Sequence, residues 1–151
     1  MKISPARIAA FDILLRVEND RAFSSVLLPA FEEGLSPADR GLCHELVLGT
    51  LRRQIYLDRA IDTLSHGKRL DIAVRVAVRL GLYQLLYLDR IPDHSAVNES
   101  VNLIQRAKKT SAKGFVNAIL RRAVRELPAV NYADDLERLS VETSHPRWLL
   151  E

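Results

Sequence analysis

Cysteine is nearly missing from this chain. Cys43 is the only one in 151 residues, so no internal disulfide can form and no cysteine-based zinc site can be assembled. A lone thiol fits a reducing compartment, and the first residues lack the basic start, apolar run and cleavage site of a secretory leader. No apolar run approaches the roughly 18 residues of a membrane span. The expectation is a soluble, cytoplasmic protein. Glycine is scarce as well: the six present form no phosphate-binding loop, no GxGxxG and no GxSxG, all of which need a strand-loop-helix setting. Nucleotide-cofactor chemistry within these residues is not expected. His44, His66, His94 and His145 are scattered, and His44-Glu45 lacks the second histidine of an HExxH site, so no metal site is expected either. Charge of one sign is not in large excess. Twenty-two basic against 19 acidic residues leave a net +3, and attraction to phosphate must come from local clustering.

What is present is helical periodicity. Hydrophobic residues make up 48% of the chain, enough for one core, and they recur at helical spacing with no long β-branched alternation, which predicts an all-α fold. Ser4-Pro5 supplies a side-chain cap and a proline at the first helical position, where its missing N–H does no harm, and Ile8, Phe11 and Leu15 continue one face to about Asn19. A second segment runs from about Ala22 to Glu33, with Pro29 expected to kink or break it and Gly34 to close it. The Ser-Pro signal repeats at Ser36-Pro37 and opens one long stretch through Leu42, Leu46, Leu51, Leu57 and Ile61 to about Ser65. After the turn at His66-Gly67-Lys68, Asp71 caps a helix with Val74, Ala77, Val78, Leu82, Leu85 and Leu86 on a broad arc, which is expected to be the most buried. Gly49 and Gly81 fall inside helical patterns at a cost of about 1 kcal/mol each relative to alanine, which predicts close approach of another helix backbone. Asp93 or Ser95 is expected to cap the next helix and Thr110 or Ser111 the last. Beyond Leu127-Pro128 the pattern thins into an acidic connector.

Catalytic groups are hard to assemble from this material. Cys43 and His44 are adjacent, so on a helix their side chains diverge by about 100° and cannot share a proton. Glu32-Glu33 and Asp134-Asp135 sit at element boundaries and read as solvated caps. No catalytic residue is expected within the chain. One window stands apart: from Ser100 to Arg125 there is no acidic residue, while Arg106, Lys108, Lys109, Lys113, Arg121, Arg122 and Arg125 all fall inside it. At about 100° per residue, Val116, Ile119, Leu120, Ala123 and Leu127 gather on one side of the last helix, and Gly114, Ala118, Arg121 and Arg125 on the other. Arginine suits phosphate because its planar guanidinium donates two parallel hydrogen bonds. The same residues also read as an ordinary solvated face, or as cations that complement a helix C-terminus. With only four Phe, four Tyr and one Trp, contact to the phosphate backbone is favoured over a base-stacking platform.

Three segments, DRGLCHELVLGTLRR (39–53), RLGLYQLLYLDRIPDHSAVNESVNL (79–103) and KGFVNAILRR (113–122), together resemble the NusB-like RNA-binding domain over about residues 4–127. More narrowly, KGFVNAILRR followed by an acidic connector and SHPRWLLE is similar to the N-terminal part of the bacterial ribosomal RNA small subunit methyltransferase B family. The resemblance implies a NusB-like fold of two packed helical subbundles over residues 1–128. Residues 129–151 would then lead toward a C-terminal methyltransferase domain that lies outside this chain. It also implies small-subunit ribosomal RNA and that catalytic domain as partners, and S-adenosylmethionine as cofactor of the longer protein. The ending SHPRWLLE, with Trp148 beside Leu149 and Leu150 and nothing after them to bury against, carries the same expectation of a longer protein. NusB-like proteins use an arginine-rich N-terminal segment for RNA, whereas here only Lys2, Arg7 and Arg16 precede Arg21. That departure counts against NusB-style antitermination, which stays as the alternative together with protein docking. It moves the expected RNA contact to the seven basic residues of the later window.

Overall fold

The computed structural model describes residues 2–126 and 141–142. Leu127, the acidic run of Asp134, Asp135 and Glu137, and the SHPRWLLE ending lie outside the described residues. Among the described residues the helices are α1 (Pro5–Asp20), α2 (Ser24–Glu32), α3 (Pro37–Arg52), α4 (Gln54–Leu64), α5 (Ile72–Tyr87), α6 (Asp93–Arg106), a 3₁₀ turn (Thr110–Ala112) and α7 (Lys113–Arg125), with no strand. Three of the expected starts hold for the expected reason. The Ser4 hydroxyl accepts from the Arg7 N–H, the Ser36 hydroxyl from the Asp39 N–H at 3.1 Å, and the Asp71 carboxylate from the Ala73 N–H at 2.9 Å, each satisfying an amide that the helix leaves open.

Other boundaries differ. The stretch expected to be one helix from Pro37 to Ser65 is two, parted at Arg53, whose φ of −102° and ψ of 11° turn the axis while its N–H still donates to the Gly49 carbonyl. The physical reason is that α3 and α4 pack on different partners. Cys43, Leu46 and Val47 of α3 are buried where it meets α1, and Leu57, Ala60, Ile61 and Leu64 of α4 where it meets α5. Pro29 does not break α2; it lies inside it. Neither Asp93 nor Ser95 caps α6, which follows Pro92 with no side-chain cap, and α7 begins without one after the 3₁₀ turn.

Two groups of helices share one core. α1, α2 and α3 pack together, α5 packs with α6, α7 and α4, and the groups meet where α1 and α3 lie against α5. That central position explains why every residue of α5 from Val76 to Gln84 is buried. The close approaches at Gly49 and Gly81 are real, but side chains make them. A Cβ at Gly49 would overlap the Tyr83 phenol, and one at Gly81 would lie 2.8 Å from both Leu120 Cδ1 and Ser100 Oγ.

A helix buried all round leaves no water for its polar side chains, so they must find partners inside. Arg79 donates to Asp58 Oδ1 at 2.7 Å and to Glu18 Oε1 at 2.6 Å. Burial works against its charge, yet these bonds more than offset it and leave its pKa above the ordinary value. At the other end of the bundle Arg7 donates to Gln84 Oε1 at 2.8 Å and pairs with Glu99 at 2.7 Å, tying the start of α1 to α5 and α6. Here desolvation prevails over Glu99 and the pKa falls.

Candidate nucleic-acid interface

Helix α7 is amphipathic in the way its spacing predicts. Val116, Ile119, Leu120 and Ala123 are buried, while Gly114, Ala118, Arg121 and Arg125 face solvent. The seven basic residues of the acid-free window do not form one patch, because α6 and α7 run antiparallel and the window wraps around their hairpin. Arg106, Lys108, Lys109 and Lys113 sit at the connecting end. Arg121 and Arg125 are at the opposite end, roughly 12 to 18 Å away from Lys113 at 1.5 Å per helical residue.

At each end some cations are paired with carboxylates and others are not. Arg106 makes a two-bond contact with Asp12 of α1 at 3.1 and 3.4 Å, and Lys109 pairs with Asp71 at 3.3 Å. Lys113 donates to Gln105 Oε1 at 2.9 Å, and Lys108 holds the left-handed backbone position, φ 61°, that ends α6. Arg122 leans the other way, to Glu126 at 3.0 Å and to the Leu64 carbonyl at the end of α4. Arg121 is oriented by Asn117 Oδ1 at 3.0 Å. Neither Arg121 nor Arg125 has an acidic partner within salt-bridge distance among the described residues. These exposed ion pairs are each worth about 0–1 kcal/mol, so a polyanion can compete for the cations. Arg121 and Arg125, without an acidic partner among the described residues, need no such exchange.

Several residues around this surface were not among the RNA contacts expected from sequence. Asp93, His94, Val97 and Val124 line a groove with Arg121 and Arg125 between the start of α6 and the end of α7. Lys68, from the turn before α5, lies 4.6 Å over the Phe115 ring. Of the N-terminal cations Lys2, Arg16 and Arg21 are exposed, whereas Arg7 is only 6% exposed and committed to Gln84 and Glu99.

Cys43 is fully buried, and burial first, then the Glu32 charge, push its pKa up to about 11. His44 points away to Glu32, at 2.5 Å from Nδ1 to Oε1, as the divergence of adjacent helical side chains requires. The thiol is a packing group. Native protein at pH 8 is therefore expected to resist iodoacetamide for hours, while unfolded protein alkylates at once; rapid native labelling would refute the burial. A pKa raised in the fold contributes stability that is whole below the unfolded value and is lost as pH climbs toward the folded one. Tyr83, buried and donating to Glu45, is likewise raised, to about 12. Thermal stability should hold to about pH 9 and fall as pH rises toward 11, less steeply in Cys43→Ala.

Among the described residues no three His, Cys, Asp or Glu side chains converge as a metal site requires, and no helix is long and apolar enough to cross a membrane. Residues 4–125 match the model of the NusB family. The chain belongs to the NusB family. Its backbone superposes on the solution structure of NusB from Aquifex aeolicus with a TM-score of 0.65 at 22% identity, over 85% of this chain and 93% of that one. At that identity the likeness is one of fold. The NusB match does not stand alone. The chain is 36% identical over 156 residues to the probable ribosomal RNA small subunit methyltransferase B of Bacillus subtilis, covering 100% of this chain and 35% of that protein. It is 39% identical over 145 residues to the ribosomal RNA small subunit methyltransferase B of Pseudomonas putida, covering 95% of this chain and 33% of that protein. The chain thus spans about a third of the length of these relatives.

Proposed function

We propose that this NusB-family domain is the RNA-binding N-terminal domain of a cytoplasmic ribosomal RNA small subunit methyltransferase B, holding small-subunit ribosomal RNA for a catalytic domain that follows it. The observation that carries the reading is the pair Arg121 and Arg125, two solvent-facing guanidiniums on one side of α7 with no acidic partner among the described residues. Arg106, Lys108, Lys109, Lys113 and Arg122 supply the surrounding field. Residues 1–128 would form the domain and 129–151 the connector. The longer protein would transfer a methyl group from S-adenosylmethionine to C5 of a cytosine in 16S ribosomal RNA. The described residues do not fit that cofactor, because they form helices only and offer no glycine-rich loop between strand and helix. It belongs with the two thirds of the relatives that this chain does not span.

The test is titration of small-subunit ribosomal RNA at several salt concentrations with wild type and with Arg121→Glu/Arg125→Glu. Loss of two phosphate contacts should lower affinity about thirtyfold and flatten the log–log salt slope by about 1.4 to 1.8. Unchanged affinity and slope would remove these residues from the interface.

One observation favours a second role, as a dock for its own downstream chain. Val141 is 2% exposed, and Arg53 donates to the Glu142 carbonyl at 3.3 Å while its guanidinium lies 5.0 Å over the Tyr87 ring. Residues 141–142 therefore touch the bundle at the α3–α4 bend. Pull-down of a separated catalytic domain should succeed with wild type and weaken with Arg53→Ala if the domains also pack there.

A further inference from the structure

We propose that the groove between the start of α6 and the end of α7 takes one nucleotide of single-stranded RNA, with its phosphate on Arg121 and Arg125 and its base against His94 and Val124. The proposal rests on the RNA reading above and goes beyond it by naming the form of RNA and the place where a base is held. The groove encloses about 490 Å³, within the roughly 300–1,000 Å³ of ligand sites. Its cations share one wall because Arg121 and Arg125 are four residues apart on a helix. Apart from the Asp93 carboxylate, its other surfaces are apolar or flat. Val97 is 3% exposed and forms part of the floor, Val124 is 44% exposed where most large apolar side chains of this protein are covered, and His94 brings a planar ring to the rim.

That combination discriminates between polyanions. A duplex in the A form presents phosphates and hydroxyls but keeps its bases stacked, so it could meet the arginines and leave Val124 and His94 without a partner. A single strand can splay a base out, which would cover the exposed valine and lie on the imidazole while the adjoining phosphate meets the guanidiniums. An acidic peptide would satisfy the cations alone. Asp93, the one acid lining the groove, disfavours a phosphate on its own side and leaves the arginine wall as the place for one. The path continues past His94, where Lys2, Asn98 and Asn102 line a second shallow groove over α6.

The test uses the whole chain with fluorescein-labelled oligouridine of about a dozen nucleotides, within the site sizes of single-strand binders, the corresponding duplex, and an oligouridine with abasic positions. Wild type should bind the single strand at least tenfold more tightly than the duplex or the abasic strand. Arg125→Gln should weaken single-strand binding about tenfold and reduce the salt slope by about 0.7, and His94→Ala and Val124→Ser should each weaken it about three- to fivefold without changing that slope. Arg40→Gln, an exposed cation of α3 outside the basic window, should stay within twofold. Because Arg125, His94 and Val124 are all exposed, these variants keep the fold, as a thermal melt will verify. Equal binding of duplex, abasic strand or polyglutamate would overturn the nucleotide site. So would single-strand binding that the three groove variants leave unchanged, with the RNA reading intact. Absence of any RNA binding by wild type at low salt would overturn both.

Discussion

Arg79→Leu is expected to destabilise the domain by about 3 kcal/mol, which at this size lowers the melting midpoint by roughly 10 °C. The guanidinium is 6% exposed and bonded to Asp58 through both Nε and Nη2, and to Glu18 through Nη1. Removing one member of a buried ion cluster strands the others, typically at 3–5 kcal/mol. Here the low end applies, for two reasons. The carboxylates of Asp58 and Glu18 keep about a third of their surface in water, and Asp58 retains Arg75 at 3.2 Å. Arg79→Lys should cost less, about 1 to 2 kcal/mol, because one ammonium can keep one carboxylate but cannot match the fork. Taking out the whole cluster with Glu18→Gln, Asp58→Asn and Arg79→Leu should recover part of the loss, since no charge is then left without its partner. Urea unfolding of the three proteins distinguishes these outcomes; equal stability of Arg79→Leu and wild type would mean that the cluster does not hold α1, α4 and α5 together. RNA affinity measured on folded Arg79→Leu should be unchanged, because the cluster lies away from α7.

The parts of this architecture that were legible in sequence are those written locally. Ser4-Pro5, Ser36-Pro37 and Asp71 each declare a helix start within three residues, and α7 declares its buried face through the spacing of Val116, Ile119, Leu120 and Ala123. The bend at Arg53 was not legible, because the apolar repeat runs through it undisturbed and only the choice of packing partner divides α3 from α4. The burial of Arg7 and Arg79 was not legible for a similar reason. The carboxylates that draw them inside, Glu99, Glu18 and Asp58, come from other helices, and no window of sequence contains both partners. The basic window shows the limit from the opposite direction. It contains no acid of its own, yet α1 brings Asp12 to Arg106 and the start of α5 brings Asp71 to Lys109. What sequence presents as seven equivalent cations becomes, through tertiary structure, three that are paired with carboxylates, Arg106, Lys109 and Arg122, and four that have no acidic partner among the described residues, of which Arg121 and Arg125 share one face of α7.

Gly49→Ala should destabilise the domain by about 2 to 3 kcal/mol, although alanine is the better helix former by about 1 kcal/mol. The added methyl would overlap the Tyr83 phenol, a ring that is 4% exposed and hydrogen-bonded through its hydroxyl to Glu45. Overpacking of this kind costs about 1–3 kcal/mol or more, and displacing the ring also breaks a bond to a charged acceptor worth about 1.5–3 kcal/mol. Together these exceed the gain in propensity. Gly41 and Gly114 supply the internal contrast: both lie within helices, both have nothing within 4 Å of a Cβ, and Gly41→Ala or Gly114→Ala should stabilise by about 0.5 to 1 kcal/mol. If the Tyr83 ring is the obstacle, Tyr83→Leu should absorb much of the Gly49→Ala penalty, so the double variant is more stable than the sum of the two single changes predicts. Strict additivity in denaturant unfolding would place the cost elsewhere. Coupling of about 1 kcal/mol or more would instead identify the α3–α5 contact at Gly49 as a fixed point of the fold. A helix crossing that close leaves α5 little freedom to shift, and α6 and α7 are both seated on α5; the arginine-lined end of α7 is thereby held to one orientation before any ligand arrives.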